Sequence, residues 1–166
     1  MTVWFPTTPK LAVFDPHKLP KESPFSSLKA SHTSELDTVS AIGDGKEPRW
    51  SSGKKVPRWT SRPQKGKNQW VEGHFAKVRQ VRSVAVYWMQ DREDVRFPKE
   101  WSLEVRNKGE WKAFELYVTD RYDNRANQYN VVHPAAPLTC DAIRVNMTPR
   151  AEAAVGILEV QVKFED

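Results

Sequence analysis

From Trp70 to Phe164, apolar residues recur at every second position in short runs separated by turn residues. That two-residue period is the repeat of a half-buried β-strand, so it commits the chain to sheet. Val71 and Phe75 share one face with Glu72 and His74 on the other, and Val84, Val86 and Trp88 alternate with Ala85 and Tyr87. Trp101, Leu103 and Val105 keep the same period before Asn107-Lys108-Gly109, which makes a turn into Trp111. Phe114–Val118, Gln128–Val132, Ala142–Met147 and Ile157–Phe164 read as further strands, and Phe25–Ser34 as a polar one. No window fits a helical template, and no capping box precedes a 3.6-residue pattern. About eight strands predict an all-β antiparallel sandwich of two sheets. Its expected core is Val71, Val84, Val86, Leu103, Val105, Ile143, Val145 and Val160.

A chain of 166 residues suits one such core. Residues 1–24 carry Pro6, Pro9, Pro16, Pro20 and Pro24 and read as an arm or interdomain connector, leaving 25–166 for the sandwich. Its clusters Val3-Trp4-Phe5 and Leu11–Phe14 are expected to pack on this domain or a neighbour. With 39% apolar residues, no run approaches the roughly 18 that a spanning helix needs. Met1-Thr2-Val3-Trp4 has no basic start, and Pro6 and Pro9 interrupt any apolar stretch, so no signal peptide is read. The chain is then either cytoplasmic or a domain of a larger secreted polypeptide. The lone Cys140 excludes an internal disulfide. A net charge of +5 is compatible with acidic partners and with mere solubility.

Catalytic patterns are thin. His17, His32, His74 and His133 lack metal-ligand spacing, and there is no Gly-x-Ser-x-Gly elbow and no phosphate loop. Trp70, Trp101 and Trp111 lie in or beside strands, which predicts core packing. Trp50 and Trp59 fall in the polar stretch 49–62. Trp59, between Arg58 and Arg62, is read as an exposed indole that stacks on a sugar while the guanidinium groups bind hydroxyls or carboxylates.

The order Ala41-Ile42-Gly43-Asp44-Gly45, Trp70–Phe75, Val84–Trp88 and Gly156–Val162 resembles the discoidin-like (F5/8 type C, galactose-binding-like) family over roughly Phe25 to Phe164. The resemblance implies a discoidin-like jelly roll whose first and last strands meet, with an aromatic soon after the Asp-Gly turn, Trp50 here, pinning its loop. It also implies a structural Ca2+ held by Asp44 and Glu159, with carbonyls of the Asp-Gly turn and Ser52 nearby. Lys46 and Arg49 leave open a metal-free version in which one of them pairs with Asp44 or Glu159. Adding Pro57-Arg58-Trp59, Pro98-x-x-Trp101 and Gly109-Glu110-Trp111, the chain is similar to the C-terminal accessory sandwich of bacterial glycoside hydrolases resembling β-L-arabinofuranosidases. It departs from them at Thr60–Lys65, where further aromatics are replaced by polar and basic residues, which turns that loop towards anionic ligands.

The resulting expectation is a non-catalytic carbohydrate-binding module, extracellular or periplasmic as part of a larger protein and covalently joined to a catalytic domain. Oligo- or polysaccharide would be taken at Arg58, Trp59 and Arg62, helped by Arg92 in loop 89–96 and by Arg121 and Tyr122 in loop 120–125. The alternative is a structural module that buttresses a catalytic domain without binding sugar. An exposed Trp59 favours the first and a buried one the second. Binding to nucleic acid or lipid headgroups is allowed by charge but lacks the aromatic-basic platform that single strands need.

Overall fold

The computed structural model describes residues 18–165, so most of the Pro-rich arm, with both its apolar clusters, lies outside the described residues. Eight strands account for nearly all the regular structure: β1 (Ser27–Ala30), β2 (Trp59–Thr60), β3 (Gln69–Trp88), β4 (Glu100–Asn107), β5 (Glu110–Ala113), β6 (Tyr129–Val132), β7 (Leu138–Thr148) and β8 (Gly156–Phe164). One short 3-10 turn, Val39–Gly43, is capped by the Thr38 hydroxyl accepting from the Ser40 N–H.

The sandwich is organised by β3, which spans twenty residues and serves both layers. Its first half pairs with β1 and β7, extending the layer to β1-β3-β7-β4-β5. Its second half pairs with β8 and β6, and β2 caps the outer edge of β8. Every pairing is antiparallel, and the ladder is continuous through β3. Between the halves the register breaks after His74, and Ala76, Lys77 and Val78 are exposed where the strand passes from one layer to the other. Close packing begins there: a Cβ on Gly73 would lie 2.2 Å from the Phe25 ring, so only glycine lets β1's lead-in cross the strand.

All eight expected core residues are buried, with Val71 opposite Val145 and Val145 opposite Leu103 in one layer. Trp101 joins them, edge-on to Trp88. Trp70 and Trp111 do not: Trp70 is one residue out of phase with Val71, and Trp111 lies opposite Arg106, one residue out of phase with Val105. They are half-buried on the outer face, where the Arg144 guanidinium lies 5.4 Å and 4.0 Å from their ring centres. Arg144 also donates to Glu72 Oε1 at 2.6 and 2.9 Å and to Glu104 Oε2 at 3.2 Å. Burial pushes the Glu72 carboxyl up, yet Arg144 and His74 outweigh it and hold it below its usual range. The run Phe114–Val118 is not a strand. Phe114 enters the core and only Leu116 makes an isolated bridge, to Pro134.

Candidate functional site

Two features gather the polar chemistry. The first is a carboxylate pair created by a bulge in β8. Ile157 pairs with Trp88 and Glu159 with Tyr87, so Leu158 is an extra residue. Without it Glu159 would alternate into the core; with it the carboxyl turns to the outer side, beneath the Asp44-Gly45 turn. There Glu159 is 2% exposed, and its Oε1 accepts from the Gly45 N–H at 3.3 Å. Gly45 holds φ +73°, a conformation that favours glycine. Asp44 is half-buried within reach of Glu159, and its Oδ1 accepts from the Lys46 N–H at 2.8 Å. Burial, reinforced by the Asp44 charge, pushes the Glu159 carboxyl up to about 9. Burial also raises Asp44, against the pull of the Lys46 N–H and ammonium.

The Glu159 Oε2 is buried with no hydrogen-bond partner. A bare buried carboxylate oxygen facing a second carboxylate needs a proton or a cation. Oxygen donors of this kind suit a hard divalent ion, so the residues fit the Ca2+ that the family resemblance implies. Ser52 makes no hydrogen bond to either carboxylate. Arg49 lies 5.5 Å over the Trp50 ring and forms no ion pair with either acid among the described residues. A third acid, Glu47, escaped the sequence reading. It accepts from the Tyr129 hydroxyl at 3.0 Å and from Gln161 Nε2 at 2.7 Å. Glu47 is adjacent to a proline in a polar turn, and nothing local marks it.

The second feature is the cluster of loops at one end of the sandwich. Ser51 ties three of them together: its carbonyl accepts from the Gln90 N–H at 2.8 Å, and it exchanges bonds of 2.8 Å with Asn127 through backbone and side chain on both sides. Asn124 Nδ2 donates to the Pro98 carbonyl at 2.6 Å, joining loop 120–128 to the segment after β3. Arg62 reaches into loop 89–96, with Nε 2.6 Å from Asp94 and Nη2 on Asp91. These bonds join Arg62 to loop 89–96, and loop 89–96 to loop 120–128 through Ser51.

The side chains within them are redistributed. Trp59 is 0% exposed: it belongs to β2, pairs with Ile157, and donates its indole N–H to the His32 carbonyl and Thr33 hydroxyl, each at 3.1 Å. The expected stacking role of Trp59 is thereby corrected. Arg58 bonds Asp37 through Nε at 3.0 Å, and Arg62 is engaged through both Nε and Nη2 by Asp94 and Asp91. Tyr122 is a strut that accepts from the Leu103 N–H and donates to the Phe114 carbonyl, with its ring against Trp101. Arg92 and Arg121 are exposed as expected. The exposed indole is instead Trp50, at 56%, beside Gln90 and Asn127 through Ser51. Both tryptophans sit in similar polar, basic sequence. Only long-range pairing with β8 decides which is buried.

The cluster Asp91, Glu93 and Asp94 is occupied by Arg62. Burial pushes the Cys140 thiol up to about 12, which removes it as a nucleophile near neutral pH.

The model of the F5/8 type C domain matches residues 27–160. The chain belongs to the F5/8 type C family. Solved structures place its fold among relatives of low identity. A chain from the Streptococcus pneumoniae β-galactosidase BgaA is 20% identical, with a TM-score of 0.71 over 88% of this chain and 96% of that one. The family 32 carbohydrate-binding module of Clostridium perfringens NanJ, solved with galactose, is 16% identical, with a TM-score of 0.64 over 84% and 93%. A pectin-binding carbohydrate-binding module is 14% identical, with a TM-score of 0.58 over 85% and 91%. No curated protein matches the chain. Within this F5/8 type C domain, Glu159 of the last strand meets the Asp44-Gly45 turn. No helix among the described residues is long and apolar enough to cross a membrane.

Proposed function

We propose that this F5/8 type C domain is a non-catalytic carbohydrate-binding module of a larger bacterial glycan-degrading enzyme, and that it takes sugar at the loop end marked by Trp50. The observation that carries this reading is the 56% exposed indole of Trp50, with the Arg49 guanidinium over its ring and with the next residue, Ser51, tied to Gln90 and Asn127. An indole face receives the C–H face of a pyranose, and the side-chain amide of Asn127, held by the Ser51 N–H, offers its NH2 to a sugar hydroxyl. The exposed Arg92 and Arg121 on the same loops favour acidic glycans. A shallow site of this kind gives Kd of about 0.1–1 mM, roughly −4 to −5.5 kcal/mol. A parent enzyme resembling β-L-arabinofuranosidases, and export outside the cytoplasm with it, complete the proposal.

Ca2+ at Asp44 and Glu159 is proposed as a structural ion. It would neutralise two acids that burial otherwise drives towards protonation, and so clamp the 44–53 loop that presents Trp50. The second reading, a buttress that binds no sugar, is favoured by the burial of Trp59 and by the apolar Leu36 and Val118 at 89% and 87% exposure. A glycan array followed by calorimetry separates the two. Binding of any glycan that is lost in Trp50→Ala supports the module, and no binding to any glycan supports the buttress.

A further inference from the structure

We infer a second glycan-binding site, for a carboxylate-bearing sugar chain, on the outer face of the β8-β3-β6 layer. The site begins with another bulge. Val81 pairs with Phe164 and Ser83 with Lys163, so Arg82 is extra. Val81 and Val84 are both buried in the core, and the two residues between them, the exposed Arg82 and the buried Ser83, both line the groove on the other side. This sets Arg82 and Ser83 beside Lys163, since directly opposed Cα atoms in such a pair lie only about 4.5–5.5 Å apart.

Along the same face the next outward residue of β3 is Ala85, between Gln161 on β8 and Val131 on β6. Ser83 and Ala85 are short and form a floor, while the longer side chains of β8 and β6 stand on either side. The result is a groove of about 450 Å³, closed at one end by Arg82 and at the other by Tyr129. That volume lies within the range of small-ligand sites, about 300–1,000 Å³.

Its charge selects the occupant. Neither Arg82 nor Lys163 has an ion-pair partner among the described residues. Of the acids around the groove, Asp120 Oδ2 accepts from His133 Nδ1 at 2.9 Å and Glu47 holds Tyr129 and Gln161, while Glu165, two residues beyond Lys163, is exposed and forms no ion pair with either cation among the described residues. Two uncompensated cations at one end of a groove with a half-exposed valine wall match a sugar that carries a carboxylate and an apolar ring face. A polyuronate repeats that combination along its length. The site is independent of the loop-end reading, because it shares no side chain with Trp50, Gln90 or Asn127.

The test is calorimetric titration of the domain with penta-galacturonate at 50 mM salt, with a neutral galacto-oligosaccharide, a sulfated galactan oligomer and a poly-glutamate peptide as comparators. Native protein is expected to bind the uronate, more weakly at 500 mM salt, and Arg82→Ala/Lys163→Ala to bind it at least 10-fold more weakly. Trp50→Ala should stay within 3-fold of native for this probe. Arg82→Lys/Lys163→Arg should retain binding, and Arg82→Gln alone should show a partial loss if the double variant is poorly folded. Equal affinity of native and double variant, loss in Trp50→Ala alone, or no uronate binding by native protein would overturn the inference. Equal or tighter binding of the sulfated oligomer or the peptide would overturn the choice of ligand.

Discussion

Replacing Trp59 by alanine should destabilise the domain, whereas replacing Trp50 should not. Trp59 is enclosed by the β2–β8 pairing, and its truncation removes a whole indole from the core and the two hydrogen bonds its N–H makes. Trp→Ala changes at such positions cost about 3–5 kcal/mol, because the surroundings collapse only partly into the cavity. In a chain of this length each kcal/mol lowers Tm by about 2–4 °C, so the expected fall is about 6–20 °C. Trp50 is largely solvated, and exposed substitutions stay within about 0.5 kcal/mol, or about 2 °C. Parallel thermal and urea melts of the two variants decide the matter. A Trp59→Ala protein within 1 kcal/mol of native, or a Trp50→Ala protein as unstable as Trp59→Ala should be, would refute the assignment of which indole is structural.

The carboxylate pair predicts a pH dependence that Ca2+ reverses. Without a cation, Glu159 keeps its proton to about pH 9 when folded but only to about 4.5 when unfolded, so its contribution is complete below about 4.5 and lost as pH rises through 9. Chelated protein should therefore melt lower at pH 8 than at pH 5, Glu159→Gln should flatten the difference, and Ca2+ at about 100 Kd should restore about 2.7 kcal/mol at pH 8. A pH-independent melt would count against the buried pair. Gly73→Ala should cost about 1–3 kcal/mol or more, measured by urea unfolding, because the new methyl group meets the Phe25 ring at 2.2 Å. Arg62→Met should cost about 1–3 kcal/mol by removing the charged hydrogen bonds that join Asp91 and Asp94 of loop 89–96 to residue 62, and unchanged stability would show that the loop's own bonds to Asp91 suffice.

The sandwich was legible because alternation at Val84-Val86-Trp88 or Trp101-Leu103-Val105 reports local geometry that tertiary packing keeps. The meeting of Asp44 and Glu159 had no local signature and followed only from the family resemblance, which implies that the first and last strands meet. The bulges at Leu158 and Arg82 were not, since each is an arrangement of two strands rather than a property of one. Those bulges decide which side chains face outward, so the groove beside Lys163 had no signature in sequence. Trp70 and Trp111 were misplaced for a related reason: an aromatic in a strand can take either face, and only phase relative to Val71 or Val105 tells which. Trp59 was misplaced because a two-residue strand is too short to show a period.

The central claim is that the loop end carrying Trp50 holds sugar, and chemical-shift mapping tests it most directly. Isotope-labelled domain would be titrated with the best ligand from a glycan array. The account predicts movement of the Trp50 indole N–H together with amides at 49–51, 90–92 and 121–127, while the Trp59 indole N–H stays fixed. Shifts confined to other surfaces, or a Trp50 signal that does not move at saturating glycan, would contradict it.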